Sequence, residues 1–176
     1  MTTMHDQESR IDTTQYLTFR LDGEEYAVGI LQVREIIAYG TLTKLPHTPS
    51  SIRGVINLRG NVVPVADLRI KFGLTAGRVT NRTCIVIVEA NINENPTVMG
   101  VIADSVSQVI RMPEENILPA PAFGTRVCAD YLLGMGRSGD KFILMLDIGK
   151  VLSADDPIPA AREFNAAAPN TVETFK

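Results

Sequence analysis

The chain has no tryptophan, only two cysteines and only two histidines in 176 residues. Cys84 and Cys128 stand 44 positions apart without a CxxC, which excludes a disulfide scaffold and a thiolate metal cluster. His5 lies in a polar leader and His47 between two prolines. Neither has a Cys, His or carboxylate at ligand spacing, so no metal centre is expected. An excess of positive charge is also missing: 17 Lys and Arg face 20 Asp and Glu, a net charge of −3. That balance speaks against a general nucleic-acid or anionic-membrane surface, both of which rely on clustered cations. The longest unbroken apolar runs, such as Cys84 to Val88 and Phe142 to Leu146, have strand length. A bilayer crossing needs about 20 apolar residues. The opening MTTMHDQESR is polar and mixed in charge, unlike a secretory signal. These absences lead us to expect a soluble, cytoplasmic protein.

What the chain has in quantity is β-branched side chain: 16 Val and 16 Ile against 14 Leu and 15 Ala, a leaning towards sheet. A chain of this length buries about 70% of its unfolded surface and needs no staple to stay folded. Leu17, Phe19 and Leu21 alternate with polar residues, and after the turn signal Asp22-Gly23 the alternation resumes at Tyr26, Val28 and Ile30. The β-branched segment Ile30 to Ile37 reads as a continuing strand, although Arg34 and Glu35 interrupt it. Pro46 and Pro49 mark a loop, and Ser50 to Arg53 read as one helical turn. VINL and VVPVA flank LRGN as a second hairpin, and Asp67 caps a short helix that ends at Gly73. The later half repeats the outline: strands at 84–88 and 98–103, a turn at 91–95, then strands at 132–135 and 141–146 with a short helix headed by Asp147.

The halves also align residue on residue. A shift of 73 sets Val28 on Val101, Val33 on Val106 and Ile36 on Val109, while a shift of 80 sets Gly54 on Gly134 and Asp67 on Asp147. The extra seven residues fit a longer connector at 111–124. The expected fold is therefore all-β with a few short helices, built as two side-by-side β-barrel subdomains related by internal duplication. Residues 1–14 read as a flexible leader and 155–176 as a loose or weakly helical tail. Between them, 15–154 form the domain, with one lobe roughly 30–80 plus parts of the termini and the other 81–150.

Gly134-Met135-Gly136-Arg137-Ser138-Gly139 spells G-x-G-x-x-G, yet a dinucleotide loop must pass from strand to helix. Here five bulky apolar residues follow, so the motif reads as a hairpin turn. A Cys–His nucleophile pair is disfavoured because Cys84 opens an apolar strand-like run, where a buried inert thiol is usual. The carboxylates of Asp67 and Asp147 are explained by capping. What stands out is Val33-Arg34-Glu35-Ile36, an ion pair inside a β-branched run, and Arg59 at a tight turn. On periodicity alone the four apolar residues Val33, Ile36, Val106 and Val109 read as barrel core. A duplicated barrel pair would also leave a seam on which a helix could dock.

The stretch from Phe19 to Phe72 resembles the CheW family of bacterial chemotaxis adaptors. It does so through Asp22-Gly23-Glu24-Glu25-Tyr26, Val33-Arg34-Glu35-Ile36, Arg53-Gly54-Val55, Asn57-Leu58-Arg59-Gly60 and Pro64-Val65-Ala66-Asp67-Leu68-Arg69. The second half resembles it through Asp104-Ser105-Val106-Ser107-Gln108-Val109, Pro119-Ala120-Pro121 and Tyr131-Leu132-Leu133-Gly134. Ser105 and Asn61 depart from the family pattern, which often has glycine and an apolar residue at those places. The resemblance implies two five-stranded barrels, no catalytic activity and no cofactor. It implies an adaptor that joins chemoreceptor tips to the regulatory domain of the histidine kinase CheA, monomeric alone, arrayed in complexes, and recruited to receptor clusters at the inner membrane. The receptor-facing groove carried over by position comprises Ile30, Val33, Glu35, Ile36, Gly54, Arg59, Val62, Val106 and Val109, with the kinase held at barrel ends. The rival readings are an adaptor for a non-flagellar chemosensory pathway and a small nucleic-acid-binding barrel. The latter is opposed by ten aromatics and negative net charge.

Overall fold

A computed structural model describes residues 15–120 and 129–153. The expectations for the leader, His5, Cys128 and the tail beyond 153 lie outside the described residues. The strands are β1 (Gln15–Leu21), β2 (Glu24–Gly29), β3 (Val33–Ala38), β4 (Ile52–Leu58), β5 (Asn61–Ala66), β6 (Cys84–Ile92), β7 (Asn95–Ala103), β8 (Ser105–Arg111), β9 (Ile117–Leu118), β10 (Leu132–Ser138) and β11 (Lys141–Leu146). Two short helices, α1 (Leu68–Lys71) and α2 (Ile148–Ser153), follow β5 and β11.

The strands form two sheets, one in the order β3-β6-β7-β5-β4 and the other β8-β1-β2-β11-β10-β9. Both curl towards closure by the same device. The chain that leaves β3 returns so that Thr43 pairs with Val55 on β4, and the chain that leaves β8 returns as β9 to pair with β10. The expected all-β, duplicated architecture is what the sheets show. The lobe boundary near residue 80 does not divide them, however. The hairpin β6–β7 (84–103) belongs to the sheet of β3, β4 and β5, and the hairpin β1–β2 belongs to the sheet of β8 to β11. Each half of the chain thus lends its leading hairpin to the other half's barrel.

Two local expectations also change. Ile30–Gln32 is a 3-10 turn instead of strand, because the chain there leaves one sheet and enters the other. The expected helical turn at Ser50–Arg53 is a shorter hydrogen-bonded turn, with the Ile52 N–H donating to the Pro49 carbonyl at 2.9 Å; β4 already begins at Ile52, and the Ser51 carbonyl accepts from the Asp67 backbone N–H at 2.7 Å.

The duplication extends to the irregularities. The bulge between Ile52 and Gly54 recurs between Leu132 and Gly134, and the parallel pair Val65–Gly100 recurs as Met145–Ala27. Gly54 and Gly134 share φ values of 152° and 153°, and a Cβ on either would lie 2.6 or 2.5 Å from the carbonyl oxygen of Thr43 or Leu118. Glycine is required there because the closing strand crosses directly over the backbone.

Among the described residues, hydrophobic burial falls into three clusters. Val63, Val65, Ile85, Ile87 and Ile102 fill the first barrel, and Tyr16, Ala27, Met112, Ile143 and Met145 fill the second. The largest cluster joins the two sheets, with Leu17, Phe19 and Val28 from one and Val86, Val88 and Val101 from the other. Through it runs a row of rings: Phe19 to Tyr26 at 6.0 Å between centroids, Tyr26 to Phe72 at 5.7 Å, and Phe72 to Tyr131 at 6.1 Å. Arg69 of α1 ties one end of this junction. Its guanidinium donates to Asp104 between β7 and β8, to the Thr75 carbonyl at 3.3 Å and to Asp22 in the β1–β2 turn at 3.5 Å.

Asp67 caps α1 as expected, its carboxylate accepting from the Arg69 backbone N–H at 3.0 Å. Burial raises its pKa above the ordinary 3.8, against the pull of that hydrogen bond and of Arg53 and Arg69. A carboxyl group whose folded pKa is raised binds its proton more tightly in the fold, so its contribution to stability falls as pH rises from 3.8 through the folded value. Asp67→Asn keeps the capping oxygen without the buried charge. Its stability relative to the parent is expected to rise between pH 3.5 and 7 in urea titrations; a flat or falling difference would refute the burial cost.

Candidate docking surface

The bulges decide which way the candidate residues of β3 and β8 point. On β3, Val33 stands opposite Val88 and, after the bulge, Glu35 opposite Ile87 and Ile36 opposite Val86. The extra residue brings Val33 and Ile36 onto one face, that of the inter-sheet cluster, and turns Glu35 towards the mouth of the first barrel. On β8 the pattern repeats, with Val106 opposite Phe19, Gln108 opposite Thr18 and Val109 opposite Leu17. Thr18 stitches this second bulge, its hydroxyl donating to the Gln108 carbonyl at 3.1 Å and accepting from the Gln108 N–H at 3.2 Å.

Eight of the nine candidate residues separate into three groups. Ile30, Val33 and Val106 are half-buried and pack against the inter-sheet cluster. On the same face of their strands, Ile36 and Val109 are exposed, at 45% and 50%. Glu35, Arg59 and Val62 gather at a cavity of about 410 Å³ at the mouth of the first barrel, together with Leu58, Pro64 and Val98. Val62 is 73% exposed there. Gly54 stands apart: it is buried beneath Thr43 and closes the barrel.

Arg59 and Glu35 form a two-pronged ion pair, with guanidinium nitrogens donating to the carboxylate oxygens at 2.6 and 3.0 Å. The hydrogen bond holds the Glu35 carboxyl below its ordinary range and raises the Arg59 guanidinium further. Arg59 occupies the first turn position of the β4–β5 hairpin at φ 52°, with Gly60 following at 87°. The Asn57 side chain braces the turn by accepting the Gly60 N–H at 2.8 Å. The turn therefore aims the arginine back over β3, where Glu35 receives two of its donors and the remaining donors face solvent.

The motif at 134–139 is a hairpin: Gly134 and Gly136 lie inside β10, Gly139 sits in the turn at φ 61°, and strand β11 follows. Cys84 begins β6, and burial pushes its thiol pKa up, away from a reactive thiolate. Among the described residues no helix is long and apolar enough to cross a membrane.

Residues missed in the sequence include Phe142, 43% exposed on β11, and Leu31, 70% exposed in the 3-10 turn after β2. Phe142 was hidden inside an apolar run. Its signal was its position, 80 residues after the likewise exposed Val62.

Comparisons with known proteins agree with this architecture. The family model for the CheW-like domain matches residues 15–156. A chemotaxis protein CheW of Klebsiella aerogenes is 37% identical over 142 residues, 81% of this chain and 83% of that protein. The protein FrzA of Myxococcus xanthus is 34% identical over 140 residues, 78% of this chain and 84% of that one. Among solved structures, the scaffolding protein TtCheW from Thermoanaerobacter tengcongensis superposes with a TM-score of 0.73 at 31% identity, covering 82% of this chain and 90% of its own. With the matched segment spanning both barrels, the chain belongs to the CheW-like family.

Proposed function

We propose that the chain is a non-enzymatic chemotaxis adaptor that couples the cytoplasmic tips of chemoreceptors to a CheA-type histidine kinase, recruited to receptor clusters at the inner membrane. The observation that carries this reading is the exposure of Ile36 and Val109 on the very face whose inner residues, Val33 and Val106, belong to the core between the sheets. A receptor helix lays apolar side chains on that face, which is rigid because the core lies directly behind it. The Arg59–Glu35 pair sets its register from the side, and Gly54 shapes the surface without touching the partner. Such an interface is small and partly polar, so an affinity near micromolar, about −8 kcal/mol, is expected, with arrays adding strength by multivalency. The role asks no chemistry of the chain. It biases the populations of kinase states that the receptors already favour.

The test is co-sedimentation of the chain with a receptor signalling fragment and a CheA-type kinase, with kinase activity as readout. A three-component pellet with stimulated kinase is expected. A chain left in the supernatant, or a kinase indifferent to it, would refute the reading. Val109→Asp, exposed and thus compatible with folding, is expected to lower receptor recovery at least tenfold. Val33→Asp is a poorer probe because it places a charge in the shared core.

A further inference from the structure

The two barrels share one more pair of equivalent features. The parallel strands β5 and β7 are joined at only two residue pairs, Val65–Gly100 and Ala66–Val101, and β2 and β11 likewise at Leu144–Tyr26 and Met145–Ala27. Towards their beginnings the strands of each pair diverge, and a notch opens between them. In the first barrel this is the cavity beside Arg59, about 410 Å³. In the second it is a cavity of about 770 Å³ between Glu24, Glu25 and Tyr26 on one side and Lys141, Phe142 and Leu144 on the other.

The chemistry of the notches differs. The first carries Pro64 on β5 and Pro96 on β7, so each wall lacks a backbone donor. No proline lies on β2 or β11. Phe142 takes the place of Val62, and Gly139 takes that of Arg59, so no paired cation guards the second notch. Its rim instead bears Glu24, Glu25 and Asp140, whose side chains have no hydrogen-bond or ion-pair partner among the described residues. Two cations, Arg20 and Lys141, stand on the same rim. Asp22 also lines it and faces Arg69 at 3.5 Å. Carboxylates therefore outnumber cations around an apolar floor that includes buried Tyr26 and partly exposed Phe142.

We infer that the notch between β2 and β11 docks a short extended peptide segment whose apolar side chain is flanked by Lys or Arg. The apolar side chain packs on Phe142 and Tyr26, the flanking cations meet Glu24, Glu25 and Asp140, and the peptide backbone lies along the splayed strand ends. The site sits on strands that carry none of the nine candidate receptor-facing residues, so it is distinct from the receptor-facing surface proposed above.

The test is NMR titration of the ¹⁵N-labelled full chain with a synthetic peptide of alternating lysine and isoleucine, and with its glutamate–isoleucine counterpart. The lysine peptide is expected to shift the amides of 24–26 and 141–144 with a Kd below about 1 mM. Phe142→Ser and Glu24→Lys are each expected to weaken it at least about tenfold, and added salt to weaken it further. Should Phe142→Ser melt early, the exposed Glu24→Lys variant carries the comparison. No saturable shift, equal binding of the glutamate peptide, or shifts confined to 61–64 and 96–98 would each overturn the inference.

Discussion

Truncating Phe72 to alanine is expected to cost about 3–5 kcal/mol, the scale of a fully packed phenylalanine replaced by a cavity. Phe72 is 6% exposed, stacks on Tyr26 and meets the tilted ring of Tyr131, which reach it from the other sheet and from the turn before β10. It follows α1, at the end of the first barrel, so its ring is a link between barrels and not a filler within one. Against a typical total of about 5–15 kcal/mol, the loss removes a large share of the stability. The urea midpoint should fall with an unchanged slope, because the two barrels unfold together once their joint core is breached. A loss below about 1 kcal/mol, or two separate transitions, would mean that the barrels are independent and that the face bearing Ile36 and Val109 has no rigid backing.

The hairpins, both Asp-headed helices and the duplication were readable because they rest on local chemistry: Asp22-Gly23 and Arg59-Gly60 take the positive φ values that tight turns need, and Asp67 finds its N–H donor two residues on. The exchange of hairpins between barrels was not readable. Alternation tells which residues share a face and is silent about which strand lies alongside. The run Cys84 to Val88 shows why. Ile85 and Ile87 fill the first barrel while Val86 and Val88 fill the junction, so both faces are buried and the sequence presents an unbroken apolar run compatible with several positions.

The candidate surface was legible as a set of residues but not as a geometry. Periodicity alone reads Val33, Ile36, Val106 and Val109 as barrel core, and none of them fills a barrel. One extra residue in each strand turns all four to the junction face, where the first member of each pair is half-buried and the second exposed. A bulge of this kind leaves no composition signal. Thr18, whose hydroxyl holds the second bulge, reads as an ordinary polar residue on the solvent side of β1, yet it is fully buried. The Arg69 link to Asp104 and Asp22 was equally invisible, since these partners lie 35 and 47 residues from it along the chain.

Reversing the charge of Arg59, as Arg59→Glu, is expected to lower receptor recovery roughly tenfold or more, the scale of removing one charge-assisted hydrogen bond, while the melting temperature stays where it is. The guanidinium is 72% exposed at its hairpin turn, so the fold does not depend on it. Glu35 is the more sheltered partner at 28% and uses both oxygens on Arg59, which makes it the brace and Arg59 the presented cation. Glu35→Gln should therefore weaken recovery less than Arg59→Glu, because a neutral acceptor still steers the arginine. The doubly exchanged chain, Glu35→Arg with Arg59→Glu, distinguishes bracing from presentation. It restores an ion pair within the protein yet shows the partner a carboxylate, so recovery should remain low. Full rescue by the exchange would mean that the pair serves only itself. The pH dependence follows from the lowered Glu35 pKa: a depressed carboxyl keeps the pair intact above its ordinary value of 4.5 and loses it only as pH falls through the still lower folded value. Recovery should accordingly be level from neutral pH down to about the usual carboxylate range and decline below it. A decline already at pH 6 to 7 would point to a histidine on the partner instead of to this pair.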